Sequence, residues 1–384
     1  MAFPLTAPGQ PRRSRPPVAL ALLGLALLAP GFFPVVAQAP LLPKSRLFWW
    51  GHPNQLEWST NKNHALATAP VAVPGFPWKE SVVSWNIPSN WHATVEARPI
   101  LKDTPGPWYT LARWSSDPAV FPRTSVRDQA DAIASVDTDI LRMHDAADAI
   151  EVRLVFPRDL PRSAGAVRLG VSLLAAMATE PPAPVETNAW GRLIDLPVRS
   201  QADYPEGIHS WCSPTSLTML LSHWGKARNL ADPALDVRPV AAAVHDPGWG
   251  GTGNWSFNVG YAGQHPGLVA CVARLGGVGD LERWILAGIP VAASVSYAQL
   301  KGAPLPHPGD GHLVVVSGFT PSGDVRIHDP GVARERVVRT IPRADFARAW
   351  DHSSRTTYLV WPDSIPTPRP SSGRWPSPLG AFKE

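Results

Sequence analysis

"HSWCSPTSLTMLLSHWG", residues 209–225, is the stretch that decides how the chain is organised. Leu217, Leu220, Leu221 and Trp224 recur at i, i+3, i+4 and i+7, which predicts an amphipathic helix over 214–224. Ser213 suits the N-cap, Pro214 the first helical position and Gly225 the C-terminal stop. Before this helix the sequence reads as strands: "SVVSWNI" (81–87), "WHATVEARPI" (91–100), "PWYTLARWS" (107–115), "AIEVRLVF" (149–156) and "AVRLGVSLLA" (166–175). Turn-forming residues separate these runs and several alternate in polarity, as in an antiparallel sandwich. After it, Asp280 is placed to cap a second helix, "LERWILA", closed by Gly288. Strand-like runs follow at 289–297, 312–319, 324–329, 335–341 and 356–362, with a short helix at 343–350. The pattern predicts an α+β fold, a helix packed on an antiparallel sheet, behind an all-β sandwich-like domain.

The expected division is a signal peptide over 1–39, the β domain over 45–180, a proline-rich linker over 181–192, the α+β domain over 193–362 and a flexible tail over 363–384. "PRRSRPP" supplies a basic start, "VALALLGLALLAP" (18–30) an apolar segment too short to span comfortably, and "PVVAQAP" small residues at cleavage spacing. Cleavage fits after Ala37 or Ala39; the alternative is an uncleaved anchor. The mature protein is therefore expected to be secreted or periplasmic, with no stable membrane span. With 384 residues, 44% of them hydrophobic, a large core is available. A net charge of +4 without any dense basic block argues against a nucleic-acid partner. Eight tryptophans lie between Trp49 and Trp114, as sandwich core or as a platform contacting polysaccharide.

Chemistry centres on Cys212. Export favours disulfides, and Cys271 is the one other cysteine, so a bridge, a buried thiol and a nucleophile all stay open on the count alone. The position of Cys212 just before a capped helix favours thiolate. "GHLVVVSGFTPSGDVRIHDPG" (311–331) reads as a hairpin. With its turn centred between Pro321 and Ser322, His312 falls opposite Gly331, and Asp329 is its diagonal neighbour on the same face. Thiolate, imidazole and carboxylate are the set that nucleophilic acyl transfer needs. A metal site using His312, Asp329, His328 and His245 is a competing reading, weakened because strand alternation turns His328 away from Asp329.

"WCSPTSLTMLLSHWG", "GTGNWSFNVGYA" (251–262), "GHLVVVSGF" and "HDP", in that order, resemble the papain-like cysteine peptidases of the bacteriocin-leader-processing type. The nearer likeness is to their secreted bacterial branch, in which a β-rich domain precedes the peptidase domain. The resemblance implies a hydrolase without cofactor or metal, acting on a peptide or peptidoglycan-like substrate. It implies Cys212 as nucleophile, His312 as base, Asp329 as the group orienting it and Gln201 as oxyanion donor beside the Cys212 N–H. Gln201 stands eleven residues before Cys212, so the segment between must loop out. Trp211, Asn254 and Trp255 are candidates for the substrate cleft. The alternative function is a non-catalytic wall- or carbohydrate-binding protein on a degenerate peptidase fold.

Overall fold

The computed structural model describes residues 41–159, 167–228, 236–307 and 309–376. The expected signal segment, 1–39, lies outside the described residues. The first half is all strand: β1 (Leu42–Trp50), β2 (Glu57–Thr60), β3 (His64–Thr68), β4 (Trp78–Asn86), β5 (His92–Leu101), β6 (Thr104–Pro105), β7 (Tyr109–Ser115), β8 (Thr124–Ser125), β9 (Ala134–Asp137), β10 (Ile140–Ala147), β11 (Ala149–Pro157) and β12 (Arg168–Glu180). The second half runs α1 (Cys212–Ala227), α2 (Val237–Val244), α3 (Trp255–Gly263), β13 (Leu268–Arg274), α4 (Val278–Leu286), β14 (Val291–Ser296), α5 (Tyr297–Leu300), β15 (Gly311–Phe319), β16 (Val325–His328), β17 (Val338–Ile341), α6 (Arg343–Asp351) and β18 (Thr356–Pro362).

The β half is a sandwich of two antiparallel sheets, ordered β1-β12-β4-β10-β9 and β2-β3-β11-β5-β7-β8, with β6 on β5. Their inner faces share one core containing Trp50, Trp85 and Val171 from the first sheet and Val95, Trp114 and Leu154 from the second. Strand β5 alternates buried and half-buried residues, the mark of a sheet with one wet face. Strands β4 and β12 do not alternate, because the outer face of their sheet is covered by the second half. Six of the eight tryptophans between Trp49 and Trp114 are buried, and Trp58 and Trp108 are half-buried, so these rings serve the core rather than an exposed platform.

The second half is built on a six-stranded antiparallel sheet, β13-β18-β14-β15-β16-β17. Its edge strand, β13, is not left open to water. Asn86 Nδ2 donates to the Ala270 carbonyl (2.8 Å) while Asn86 Oδ1 accepts the Ala270 N–H (3.0 Å), so a side-chain amide stands in for a strand backbone. Ser84 Oγ accepts the Val272 N–H (2.9 Å), and Ser45 Oγ donates to the Arg274 carbonyl (2.8 Å). Unpaired strand edges invite association with other chains; here the sandwich satisfies them. Helix α3 is wedged beside this seam. A Cβ on Gly260 would lie 2.9 Å from Trp85, and one on Gly263 would lie 2.1 Å from Asn86.

Three expectations change. Helix α1 begins two residues early, with Trp211 at the N-cap, so Ser213 and Pro214 sit inside its first turn. Proline is tolerated there because N–H groups of the first turn have no helical acceptor. It also runs past the buried Gly225 to Ala227. The interior glycine costs about 1 kcal/mol in propensity, less than the packing around it provides. Similarly, Asp280 lies inside α4 rather than at its cap, and its carboxylate reaches back to the Gly276 N–H (2.8 Å).

Residues 181–192 are not a free linker: Ala183 N–H donates to Gly276 O, Glu186 N–H to Glu282, and Gly191 N–H to Phe319 O. The described part of the expected tail is also packed. Arg374 O accepts the Leu47 N–H (2.7 Å), the Arg374 guanidinium pairs with Glu180, and Trp375 is buried 5.7 Å from the Trp284 ring. Polar, proline-rich composition reads as disorder, but isolated anchors such as Trp375 carry no periodicity to betray them.

Candidate active site

Cys212 is the first residue of α1, and the first intrahelical bond runs from the Thr215 N–H to the Trp211 carbonyl (3.0 Å). Its sulfur is therefore at the end of the helix where free N–H groups concentrate positive potential. Helix α1 is buried on nearly every side, its polar positions included. Ser213 Oγ is 2.8 Å from the Tyr358 hydroxyl, Ser216 Oγ donates to Leu313 O (3.1 Å), and Thr218 Oγ1 donates to Pro214 O (2.7 Å). A buried helix so pinned cannot drift, which fixes the sulfur.

The hairpin β15–β16 brings the imidazole. Val315 faces His328 and Val316 faces Ile327, but beyond the irregularity at Ser317 the pairs become Gly318–Arg326 and Phe319–Val325. The turn is thus centred one half-residue later than predicted, and the bulge at Ser317 compensates. The predicted register is regained at the functional end: a Cβ on Gly331 would lie 2.8 Å from His312 Cε1. His312 Nε2 is 2.8 Å from Asp329 Oδ1. Its other ring nitrogen, Nδ1, is left for the sulfur of Cys212, to which the ring is hydrogen-bonded.

The carboxylate is fully buried, and its charge is answered from three sides. Oδ1 accepts from His312 and from the Gly331 N–H (2.9 Å), and Oδ2 pairs with Arg339 on β17. Burial pushes the Asp329 carboxyl up, but His312, the Gly331 N–H and Arg339 together hold it below its ordinary value. Burial likewise lowers His312, yet the bonds to Asp329 and Cys212 outweigh it and raise the ring to about 9. For Cys212, burial would raise the thiol, but His312 and the N–H groups of Leu313 and Ser213 bring it below the ordinary thiol value. The pair thus favours thiolate and imidazolium, charges that stabilise each other. Tyr297 packs on the ring, centroids 4.3 Å apart, and donates its hydroxyl to Gly331 O (2.8 Å).

Gln201 is buried close to this hairpin. Its backbone N–H donates to Pro330 O (2.9 Å), and Ser200 Oγ donates to Val332 O (2.6 Å). Its Nε2 donates to Ile208 O (2.6 Å), so residues 202–211 do loop out and are tied at both ends. Gln201 Oε1 has no partner. Trp255 lines the cleft into which Cys212 opens, a volume of ≈ 540 Å³. Asn254 belongs to the scaffold rather than the cleft: it caps α3 by accepting the Phe257 N–H (3.0 Å) and donates to Asp246 (2.8 Å), buried. Trp211 packs on Tyr204, ring centroids 5.8 Å apart.

Cys271 is fully buried in β13, neither cysteine is bridged, and burial pushes the Cys271 thiol far above its ordinary range. Among the described residues no group of three His, Cys, Asp or Glu could hold a metal. His328 is buried with Nδ1 unpartnered, and His245 is exposed at the end of α2.

Sequence reasoning missed Arg339, Tyr297 and the first domain's share of the cleft, Asp137 to Ile140. Arg339 was within reach: it pairs with Ile327 across β16–β17, diagonal to Asp329, so a second register argument finds it. No spacing rule connects residues 137–140 to Cys212.

The description "Peptidase_C39 like family" matches residues 193–358, and "Peptidase C39 N-terminal domain" matches residues 54–179. Residues 193–358 therefore match a C39-like peptidase domain, behind residues that match the N-terminal domain found with such peptidases. The chain is, in class, a peptidase. A solved structure from Bacillus anthracis, named as a C39-like peptidase, is 18% identical, covers 47% of this chain and 98% of its own, and gives a TM-score of 0.31. That score is too low to argue from. No curated protein matches the chain.

Proposed function

We propose that the protein is an exported cysteine peptidase or amide hydrolase, papain-like in its fold, with Cys212, His312 and Asp329 as its triad. The observation that carries this reading is the His312 ring, which lowers the Cys212 thiol on one side and is hydrogen-bonded to the buried Asp329 carboxylate on the other. The thiolate attacks the scissile carbonyl carbon, forming a C–S bond and an oxyanion. The Cys212 N–H and the second amide hydrogen of Gln201 receive that oxyanion. Imidazolium gives its proton to the departing amine as the C–N bond breaks, leaving an acyl-enzyme. His312 then takes a proton from water; the hydroxide adds to the acyl carbon, the C–S bond breaks, and the carboxylic product leaves. Asp329, held ionised by Arg339, keeps the ring oriented and balances its charge.

The basic and apolar N-terminal segment supports export, and no helix among the described residues is long and apolar enough to cross a membrane. Peptides and peptidoglycan-like amides are the substrate classes the reading implies. A binding-only role for the first domain is disfavoured by its buried tryptophans. The test is alkylation of the full chain by iodoacetamide, mapped by mass spectrometry, alongside peptide hydrolysis. Cys212 is expected to be the labelled residue, and Cys212→Ala to lose both label and hydrolysis. Labelling at Cys271 instead, or hydrolysis surviving in Cys212→Ala, overturns the assignment.

A further inference from the structure

One wall of the cleft that holds Cys212 comes from the first domain. Hairpin β9–β10 ends in the two-residue turn Thr138–Asp139, closed by the pairing of Asp137 with Ile140. All four residues line the same cleft as Cys212. The turn is built rather than incidental. Asp139 is 8% exposed, and its Oδ2 accepts the N–H groups of Trp255 and Ser256 at the start of α3. Thr138 holds φ +57°, a conformation unfavourable for a β-branched residue.

Across the cleft stands Asp310, whose carboxylate accepts the Ala298 N–H (3.0 Å) and the Ser296 hydroxyl. The remaining wall offers two indoles, Trp249, 48% exposed, and Trp255. His209 and His352 also reach it, but among the described residues lining it there is no lysine or arginine. Beyond Ile140 and His352 an adjoining pocket contains Arg142 and Arg274, both paired with Glu80. Asp137 lies 3.5 Å from Arg142 in a largely exposed pair, which screens it only weakly. Carboxylates focused in a concave site, with aromatic faces and no lysine or arginine in its lining, form an environment that draws in positive charge.

We propose that the β9–β10 turn is the specificity wall of the peptidase cleft, selecting substrates that present an ammonium or guanidinium group beside the scissile carbonyl. This rests on Cys212 being the nucleophile. The first domain thereby acts on the reaction in cis, as part of the substrate site.

The field at Cys212 is read directly with two thiosulfonates of similar size, one bearing a trimethylammonium and one a sulfonate. Their rates on the full chain are each divided by the rate on free 2-mercaptoethanol. At low salt, and at a pH above the value of about 7 to which burial raises the Asp139 carboxyl, the cationic reagent is expected to be favoured about tenfold or more, and Asp139→Asn to cut that ratio several-fold. Asp137→Asn, at the exposed end of the turn, supplies the same reading should the buried change unfold the protein. A weakened nucleophile slows both reagents alike, so the ratio isolates the field. A ratio of one or below, or a ratio that neither variant moves, overturns the specificity wall while leaving the nucleophile in place. A Cys212 that reacts with neither these reagents nor iodoacetamide overturns the catalytic reading and this inference together. In hydrolysis, peptides with lysine next to the scissile bond should show lower KM than norleucine or glutamate counterparts.

Discussion

Cys212 and Cys271 are the same side chain in opposite surroundings. Cys271 sits in an edge strand sealed by the first domain, walled by aliphatic side chains, where ionisation has nothing to answer it. Cys212 is also largely removed from water, yet an imidazole and two backbone N–H groups meet its sulfur. Burial alone makes a thiol inert; burial with a matched partner makes it a nucleophile. The difference lies in what each fold element aims at the sulfur.

The sharpest way to break the contrast is to exchange what each sulfur does. Cys212→Ala should abolish hydrolysis, a loss of about 10⁶ in kcat by comparison with other nucleophile deletions, measured against the uncatalysed rate. Asp329→Asn leaves the ring in place but removes the charge that orients it, and kcat should fall by up to about 10⁴. Gln201→Ala should cost about 10² in kcat with little change in KM, the signature of an oxyanion donor.

The pH profile sharpens the same comparison. Thiolate is lost as pH falls through the depressed Cys212 value, and imidazolium is lost as pH rises through about 9. Alkylation of Cys212 should therefore begin below the ordinary thiol range, and hydrolysis should decline above about pH 9. The smallest effect is at the other sulfur: Cys271→Ala should keep labelling and hydrolysis and cost about 1 kcal/mol of stability in denaturant unfolding, from a small void in a close-packed strand.

Much of this site was legible as pattern. The helix after Cys212 follows from leucine spacing, and the juxtaposition of His312 with Asp329 follows from counting along a hairpin. That count succeeded because the Ser317 bulge cancelled the shift in the turn, which no local signal announces. Arg339, the cation paired with Asp329, lies one strand further on and was visible only to an argument carried across two registers. The helical nature of "NWSFNVGYAG" was hidden because α3 is apolar nearly all round, having been wedged between two domains, and so shows little amphipathic period. The packed linker and tail were hidden for the converse reason: single anchors such as Trp190 and Trp375 hold them without any repeating pattern.

By itself the sequence determined the α+β plan, the hairpin that sets His312 beside Asp329, and the sandwich that precedes them. These are set by periodicity and short-range register, which a linear chain carries in full. Only the tertiary structure decided that the two cysteines stay apart, that Asp329 has a cation to keep it charged, and that Asp139 from the first domain walls the cleft of Cys212. Such facts depend on contacts across strands and between domains, whose strength comes from shared burial and charge rather than from any neighbouring residue.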